Sequence, residues 1–244
     1  MVEFKTRITK IIDYPAPENG NTRVFECTLP KEVDFPYVPG QFAMVSHEEV
    51  KLLANPNALK WASYSISSSP HQEGLLEFCI GGGSPTGVTH RLMRAQVGEE
   101  IGVRGAFGNF KLVEGAPEYV FLATGTGIAP LVSMVRFLLD KGTKVPMTLY
   151  YGFRHPSLYM YREELEQLQG THPNFKCVPV ASRPDEGWTQ GKGHVQDVLK
   201  EYASENRVSA KVYICGKPAV AEELVAFCRE TVKFTPENVI IEKW

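Results

Sequence analysis

Short apolar runs separated by Pro, Gly and Asn fill the first half of the chain, and helical periodicity enters only in the second. Six segments, Phe4–Asp13, Thr22–Leu29, Phe42–His47, Ala62–Ser68, Leu75–Ile80 and Glu100–Gly105, are rich in β-branched and aromatic residues and bounded by turn formers, the signature of strands. The intervals between them are too short for crossover helices, so antiparallel pairing is expected. Six such strands closed on themselves make a small barrel. Between the fifth and sixth, Gly81 to Met93 reads as a glycine loop running into one short helix. The insert Glu48–Lys60 is polar and marked by Pro and Asn, and reads as a surface loop.

After Gly115-Ala-Pro117 the rhythm changes. Strand Tyr119–Ala123 is followed by a helix from Ala129 to about Asp140. Strand Met147–Gly152 precedes a helix from Tyr161 to Gln169 with Tyr161, Leu165 and Leu168 on one face. Strand Phe175–Ala181 leads to a helix near His194–Tyr202. Strand Lys211–Cys215 leads to a helix opened by Pro218, with Val220, Leu224, Phe227 and Cys228 on its buried stripe. Val239–Glu242 is a last short strand. Alternation of β and α at this spacing predicts a parallel, doubly wound sheet. The expected organisation is therefore a six-stranded antiparallel β-barrel over residues 1–115, followed by a doubly wound parallel α/β nucleotide-binding domain over 116–244.

Composition narrows the field without choosing a chemistry. The 244 residues are 43% hydrophobic and 22% charged, and 26 basic against 28 acidic residues leave a formal charge of −2. No bulk field points to nucleic acid or a membrane surface. The N-terminal Met1-Val-Glu-Phe-Lys-Thr-Arg7 has no apolar core of a secretory signal, and the run Leu131–Leu139 is broken by Arg136. A cytoplasmic protein without membrane insertion is expected. The five cysteines, at 27, 79, 177, 215 and 228, show no Cys-x-x-Cys spacing. Neither an iron–sulfur cluster nor a structural zinc is indicated, and the six histidines form no metal-spaced pair.

The candidate chemistry lies at the carboxyl ends of the predicted parallel strands, where open α/β sheets bind ligands. Gly125-Thr126-Gly127-Ile-Ala-Pro130 delivers a glycine turn to a helix N-terminus, an arrangement suited to phosphate. Because it is Gly-x-Gly-x-x-Pro rather than Gly-x-Gly-x-x-Gly, a tight βα turn that binds nothing is an equal reading of that stretch alone. Arg154 follows the second strand. Ser182 and Arg183 follow the third, with Lys192 close behind, and these are residue types that hold a phosphate monoester. A site for a bare ribose 2′-hydroxyl favours an acid instead. Cys215 and Gly216 end the fourth strand, where the bland reading of Cys215 is a small buried apolar residue.

Four motifs in order resemble the ferredoxin–NADP reductase superfamily, in its plant-type form without an iron–sulfur domain. They are Ser63-Tyr64-Ser65-Ile66-Ser67, the Gly83 to Thr89 loop, Gly125 to Pro130, and Val212-Tyr-Ile-Cys215-Gly216. Gly105 to Phe110 and Leu158 to Leu165 are similar to that family's connecting segments. The resemblance implies a flavin-binding barrel and an NAD(P)-binding domain. Tyr64 would lie on the flavin ring, Ser65 near the atom that takes hydride, Thr89 at the flavin pyrophosphate, and Ile66 and Ser67 in the same binding segment. Cys215 would sit beside the nicotinamide. Glu242 and a terminal aromatic, Trp244, match the family's C-terminal ending, in which the aromatic covers the flavin.

The resemblance thus implies FAD and NADP(H) as cofactors and hydride transfer between them. Single electrons would pass to a separate carrier protein such as ferredoxin, flavodoxin or an oxygenase component. Two alternatives stand beside it: an NADH-dependent reductase component of an oxygenase, and a non-catalytic nucleotide-binding subunit or sensor. Two positions depart from the family pattern. Ala62 stands where an arginine usually pairs with the flavin phosphate, which leaves FAD against FMN open. His194 stands where a tyrosine often lies under the adenosine.

Overall fold

The structure, a computed structural model, describes residues 1–17, 20–203 and 209–243. They fall into two compact units. One takes Met1–Leu112 together with Val132–Phe137, and the other takes Val113–Leu131 and the described residues from Leu138 onward.

The first unit is a six-stranded antiparallel sheet in the order β4-β3-β6-β1-β2-β5. Its strands are β1 (Val2–Tyr14), β2 (Thr22–Thr28), β3 (Phe42–Leu52), β4 (Asn55–Ser65), β5 (Leu75–Gly81) and β6 (Glu100–Phe107). A bridge between Ile66 and Phe78 joins the end of β4 to β5 and closes the sheet on itself. Inward positions Ile8, Phe25, Val45, Tyr64, Phe78 and Val103 form the core, and the short helix α1 (Gly87–Leu92) adds Val88 and Leu92 to it. All six expected strands are present.

One expectation needs correction. Glu48–Lys60 is no loop: β3 runs on to Leu52, β4 begins at Asn55, and the two pair as a hairpin arm with an irregular register between Ser46 and Lys51. Most of the arm's residues are exposed, so no buried face imposes an alternating pattern. Backbone hydrogen bonding alone makes those strands, and side-chain patterning cannot register it. At its other end β4 stops at Ser65, earlier than the expected Ser68, because Ile66 and Ser67 leave β3 to pair with β5.

The second unit is a parallel sheet in the order β10-β9-β8-β7-β11-β12. Its elements are β7 (Tyr119–Thr124), α2 (Ile128–Asp140), β8 (Met147–Phe153), α3 (Arg162–Thr171), β9 (Phe175–Ala181), β10 (Gly191–Lys192), α4 (Val195–Ala203), β11 (Lys211–Gly216), α5 (Pro218–Phe227) and β12 (Val239–Lys243). The chain builds outward from β7 to β10, then returns to lay β11 on the opposite side of β7. The strand order therefore reverses between β7 and β11. Ala221 and Leu224 are the buried stripe of α5, with Val220 and Phe227 only half-buried, and Cys228, also buried, falls just past the helix's end. β10, two residues long, has no periodicity for a sequence reading to find.

The middle of α2 belongs with the barrel, and polar groups hold it there. Arg136 donates through Nη1 to Glu77 Oε1 at 2.7 Å and to the carbonyl of Ser67 at 2.7 Å. Ser67 Oγ donates to the same carboxylate at 2.8 Å, the Glu77 N–H to Ser68 Oγ at 3.1 Å, and Ser133 Oγ to the Ser68 carbonyl at 2.6 Å. Arg136 and Glu77 are 7% and 5% exposed, so this is a buried ion pair. Removing one partner of such a pair strands a charge out of water. Arg136→Met is expected to cost about 3–5 kcal/mol, and Arg136→Met with Glu77→Met to cost less than the single change. Urea unfolding followed by circular dichroism checks the order of the two.

Candidate functional site

In the barrel unit the candidate residues cluster where β4 ends. Tyr64 is 9% exposed with its ring in the barrel core. Its hydroxyl lies 2.8 Å from Thr89 Oγ1, in the first turn of α1. Burial raises the phenol's pKa, and the bond to Thr89 opposes that rise. Ser65, the next residue, is also buried, at 1% exposure. Strand alternation would have put it outside, but the strand terminates here and the burial continues through Ser69.

The hydroxyl of Ser65 has no hydrogen-bond partner among the described residues. A buried, unsatisfied hydroxyl costs about 1–3 kcal/mol, and a polar atom of a bound group would relieve that cost. The chain's own residues therefore fit a ligand that offers a hydrogen-bonding edge at this point. Ile66 and Ser67 spend their N–H groups on Gln41 O and Glu77 O, at 3.0 and 2.8 Å, and shape the segment. Gly83 is exposed with φ 126°, a conformation that L side chains rarely adopt, and Gly82 ties that loop to Asn21 O at 2.7 Å.

In the second unit the candidates line the carboxyl edge of the sheet. β7 hands over to one 3-10 turn, Gly125-Thr126-Gly127, and then to α2 at Ile128. Pro130 sits in the first helical turn, where no intrahelical N–H is needed. The two glycines serve different ends. Gly125 has φ 55° and open space where a side chain would be. Gly127 is glycine because a Cβ there would strike the carbonyl of Cys215 on β11, and Gly216 because its Cβ would strike Thr124 Oγ1. The ends of β7 and β11 thus approach as closely as backbones allow, at the point where strand order reverses.

Two strand ends beyond, the last strand completes this side. Cys215 is fully buried and pairs in parallel register with Glu242, which is half-buried. Paired residues on parallel neighbours face the same way, so the structure brings Cys215 and Glu242 together. Trp244 lies outside the described residues.

On the other side of β7 the positive groups gather. Arg154 follows β8, Ser182 and Arg183 follow β9, and Lys192 ends β10 in register with Ala181. Backbone bonds knit these ends together: Ser182 N–H to Phe153 O at 2.9 Å, and Arg183 N–H to Arg154 O at 2.7 Å. Ser182, Arg183 and Lys192 are exposed. His194 is exposed as well, and its N–H donates to the Asp197 carboxylate at 2.9 Å, which holds that acid's pKa below its ordinary value.

A sequence reading overlooks the support beneath this corner. Trp188 is buried against Phe153 and Tyr159, with ring centroids 5.5 and 6.2 Å away, and its Nε1 donates to Gly191 O at 2.8 Å. The indole pins the loop that carries Arg183 to the strand that carries Lys192. Its signal in the sequence is a lone aromatic in a polar loop.

Among the described residues no group of His, Cys, Asp and Glu is arranged to hold a metal. Nor is any helix among the described residues long and apolar enough to cross a membrane.

Comparison with known proteins bears on the fold and on its two domains. The oxidoreductase FAD-binding domain matches residues 15–112, and the oxidoreductase NAD-binding domain matches residues 121–225. The chain belongs to the ferredoxin reductase-like superfamily of flavin- and nicotinamide-nucleotide-dependent oxidoreductases.

Among its relatives, the phenol hydroxylase P5 protein of Acinetobacter pittii is 28% identical over 177 residues, 70% of this chain and 50% of that one. NADH-cytochrome b5 reductase 1 of Dictyostelium discoideum is 27% identical over 229 residues, 91% of this chain and 76% of that one. The chain thus spans about half the length of the first of these curated relatives. Among solved structures, ferredoxin-NADP+ reductase from Plasmodium falciparum with 2′P-AMP superposes with a TM-score of 0.76 at 22% identity, covering 99% of this chain and 96% of that one. The cytochrome b5 reductase domain of Ulva prolifera nitrate reductase gives a TM-score of 0.76 at 18% identity, covering 99% and 97%. These likenesses show the fold.

The glycine geometry makes a paired test. Gly216→Ala is expected to destabilise by about 1–3 kcal/mol because its methyl overlaps Thr124. Gly170→Ala, in helix α3 with nothing within 4 Å of the added methyl, is expected to stabilise by about 0.5–1 kcal/mol. Melting temperatures should move in opposite directions.

Proposed function

We propose that this chain is an NADPH-preferring FAD reductase that serves a separate electron-carrier protein. One observation carries the reading: the chemistry spread along the carboxyl edge of the parallel sheet. Cys215 and Glu242 lie in register on one side of the strand-order reversal, and Arg154, Arg183 and Lys192 lie on the other, with the Gly125 turn between them. A dinucleotide laid along that edge meets small and acidic groups at one end, backbone N–H groups in the middle, and cations at the other.

Bound flavin supplies the exchange of a two-electron hydride for single electrons. The chain's residues bind, orient and exclude water. Arg183, Ser182 and Lys192 would hold the 2′-phosphate, with Arg154 beside them. Gly125, Thr126 and Gly127, with Pro130 behind, would present backbone to the pyrophosphate, and Gly216 keeps that turn narrow. Cys215 and Glu242 would flank the nicotinamide. In the barrel unit Tyr64 would cover one ring face, Thr89 would position Tyr64, and Ser65 would offer its unpartnered hydroxyl to the flavin. Binding energy from the remote phosphates is then available at the reacting rings.

The relatives favour a second reading. Proteins named NADH-cytochrome b5 reductase and components of aromatic-ring oxygenase systems are among them. On that reading NADH is the donor and a cytochrome or oxygenase component the acceptor. Arg183→Ala separates the two. It is expected to raise KM for NADPH by about 10–100-fold, the worth of a charge-assisted contact, with NADH kinetics unchanged. A natural protein that uses NADH as well as NADPH, indifferent to the substitution, supports the second reading.

Ser65→Ala is expected to slow anaerobic flavin bleaching in stopped flow by about tenfold or more while NADP+ affinity stays constant. Equal losses in both overturn the Ser65 role. A purified protein that takes up no flavin overturns the enzyme reading and supports a nucleotide-binding subunit.

A further inference from the structure

We propose that Lys60 is the cation that holds the anionic phosphate chain of the flavin cofactor, reaching it from two residues before Ala62. This rests on the flavin reading above and assigns a residue within it. Along β4, residues 60, 62 and 64 share one face of the strand. Tyr64 at the end of that face bonds Thr89. Ala62 packs on the barrel core and offers neither donor nor charge. Lys60, one step further back, lays its side chain over Gly87: a Cβ built on Gly87 would meet Lys60 Nζ at 3.2 Å, Cε at 3.6 Å and Cδ at 3.9 Å. The same strand therefore reaches the Gly83 to Thr89 loop twice, with a phenol at one end and an ammonium at the other.

Among the described residues nothing neutralises the charge of Lys60. It has no ion pair or hydrogen bond among the described residues, and no acidic residue occurs between Gly81 and Thr89. Two neighbouring cations are committed elsewhere: Arg91 to Glu49 at 2.6 Å and Glu99 at 2.7 Å, and Arg23 to Asp13 at 2.6 Å and to the Ala95 carbonyl at 2.9 Å. Gly87 has φ 79°, and a side chain there would press on the end of the lysine, so the glycine also leaves room for it. The buried, unpartnered Ser65 hydroxyl, on the same strand, is an independent sign that a ligand completes this region. An ammonium is a compact point charge on a flexible stem. It can therefore answer a phosphate from a position where a planar guanidinium at residue 62 is missing.

The test is flavin binding by the stripped full-length protein, read as quenching of flavin fluorescence, with FAD, FMN and riboflavin as separate ligands. Lys60→Met is expected to weaken FAD and FMN by about tenfold or more and to leave riboflavin, which has no phosphate, unchanged. Lys60→Arg should keep FAD binding close to that of the natural protein. Lys51→Met, on the exposed hairpin arm, should change none of the three. Equal weakening of FAD and riboflavin, or no weakening of FAD, overturns the assignment of Lys60 while leaving the flavin reading intact. A natural protein that binds none of the three overturns the flavin reading itself, and the lysine's role with it.

Discussion

A guanidinium and a carboxylate sealed from water, Arg136 against Glu77, set the backbone on which the barrel's candidate chemistry rests. Burying two charges is expensive, and their attraction alone rarely recovers the cost. Here the serines at 67, 68 and 133 share the arrangement, giving the charges and the backbone a matched set of donors and acceptors. Apolar side chains of similar volume would serve stability as well. They would not fix the direction in which the chain leaves β4, because apolar contact has no preferred angle. A hydrogen-bonded pair does, and it fixes Ser67, two residues past Ser65, where the chain has left β4.

The second unit solves its positioning problem with steric exclusion. At the strand-order reversal, Gly127 and Gly216 carry no side chains because the neighbouring backbone and Thr124 already fill the space. The result is a narrow turn with Gly125 facing open volume, flanked by Cys215 and Glu242 on one side and by cations on the other. Trp188 then carries the support outward by holding the loop after β9 against β10. One half of the molecule is ordered by directional bonds, the other by the lack of room for anything but glycine.

How much of this is legible in the sequence follows from what periodicity records. Buried faces leave a mark, so all six barrel strands and the β–α alternation stand out. The hairpin arm at Glu48–Lys60 leaves none, because exposed strands obey no pattern of burial. Arg136 reads as an interruption of an apolar run, since only the fold reveals that Glu77 waits opposite. The Gly125 turn is visible, but the reason for Gly127 is not: its neighbour on β11 is almost ninety residues away in sequence. Resemblance to a family, rather than pattern, picks out Cys215 and Glu242 together. Their shared register is the physical content behind that pairing.

The strand that carries Glu242 has a further consequence. Among the described residues β12 lies at the edge of the sheet and pairs with β11 alone, while β7, β8 and β11 each have partners on both sides. Opening at that edge would therefore part Glu242 from Cys215 while the inner strands stay paired. The carboxylate thus depends on an edge pairing, and loss of β12 would leave the nucleotide-facing turn in place without the acid next to it.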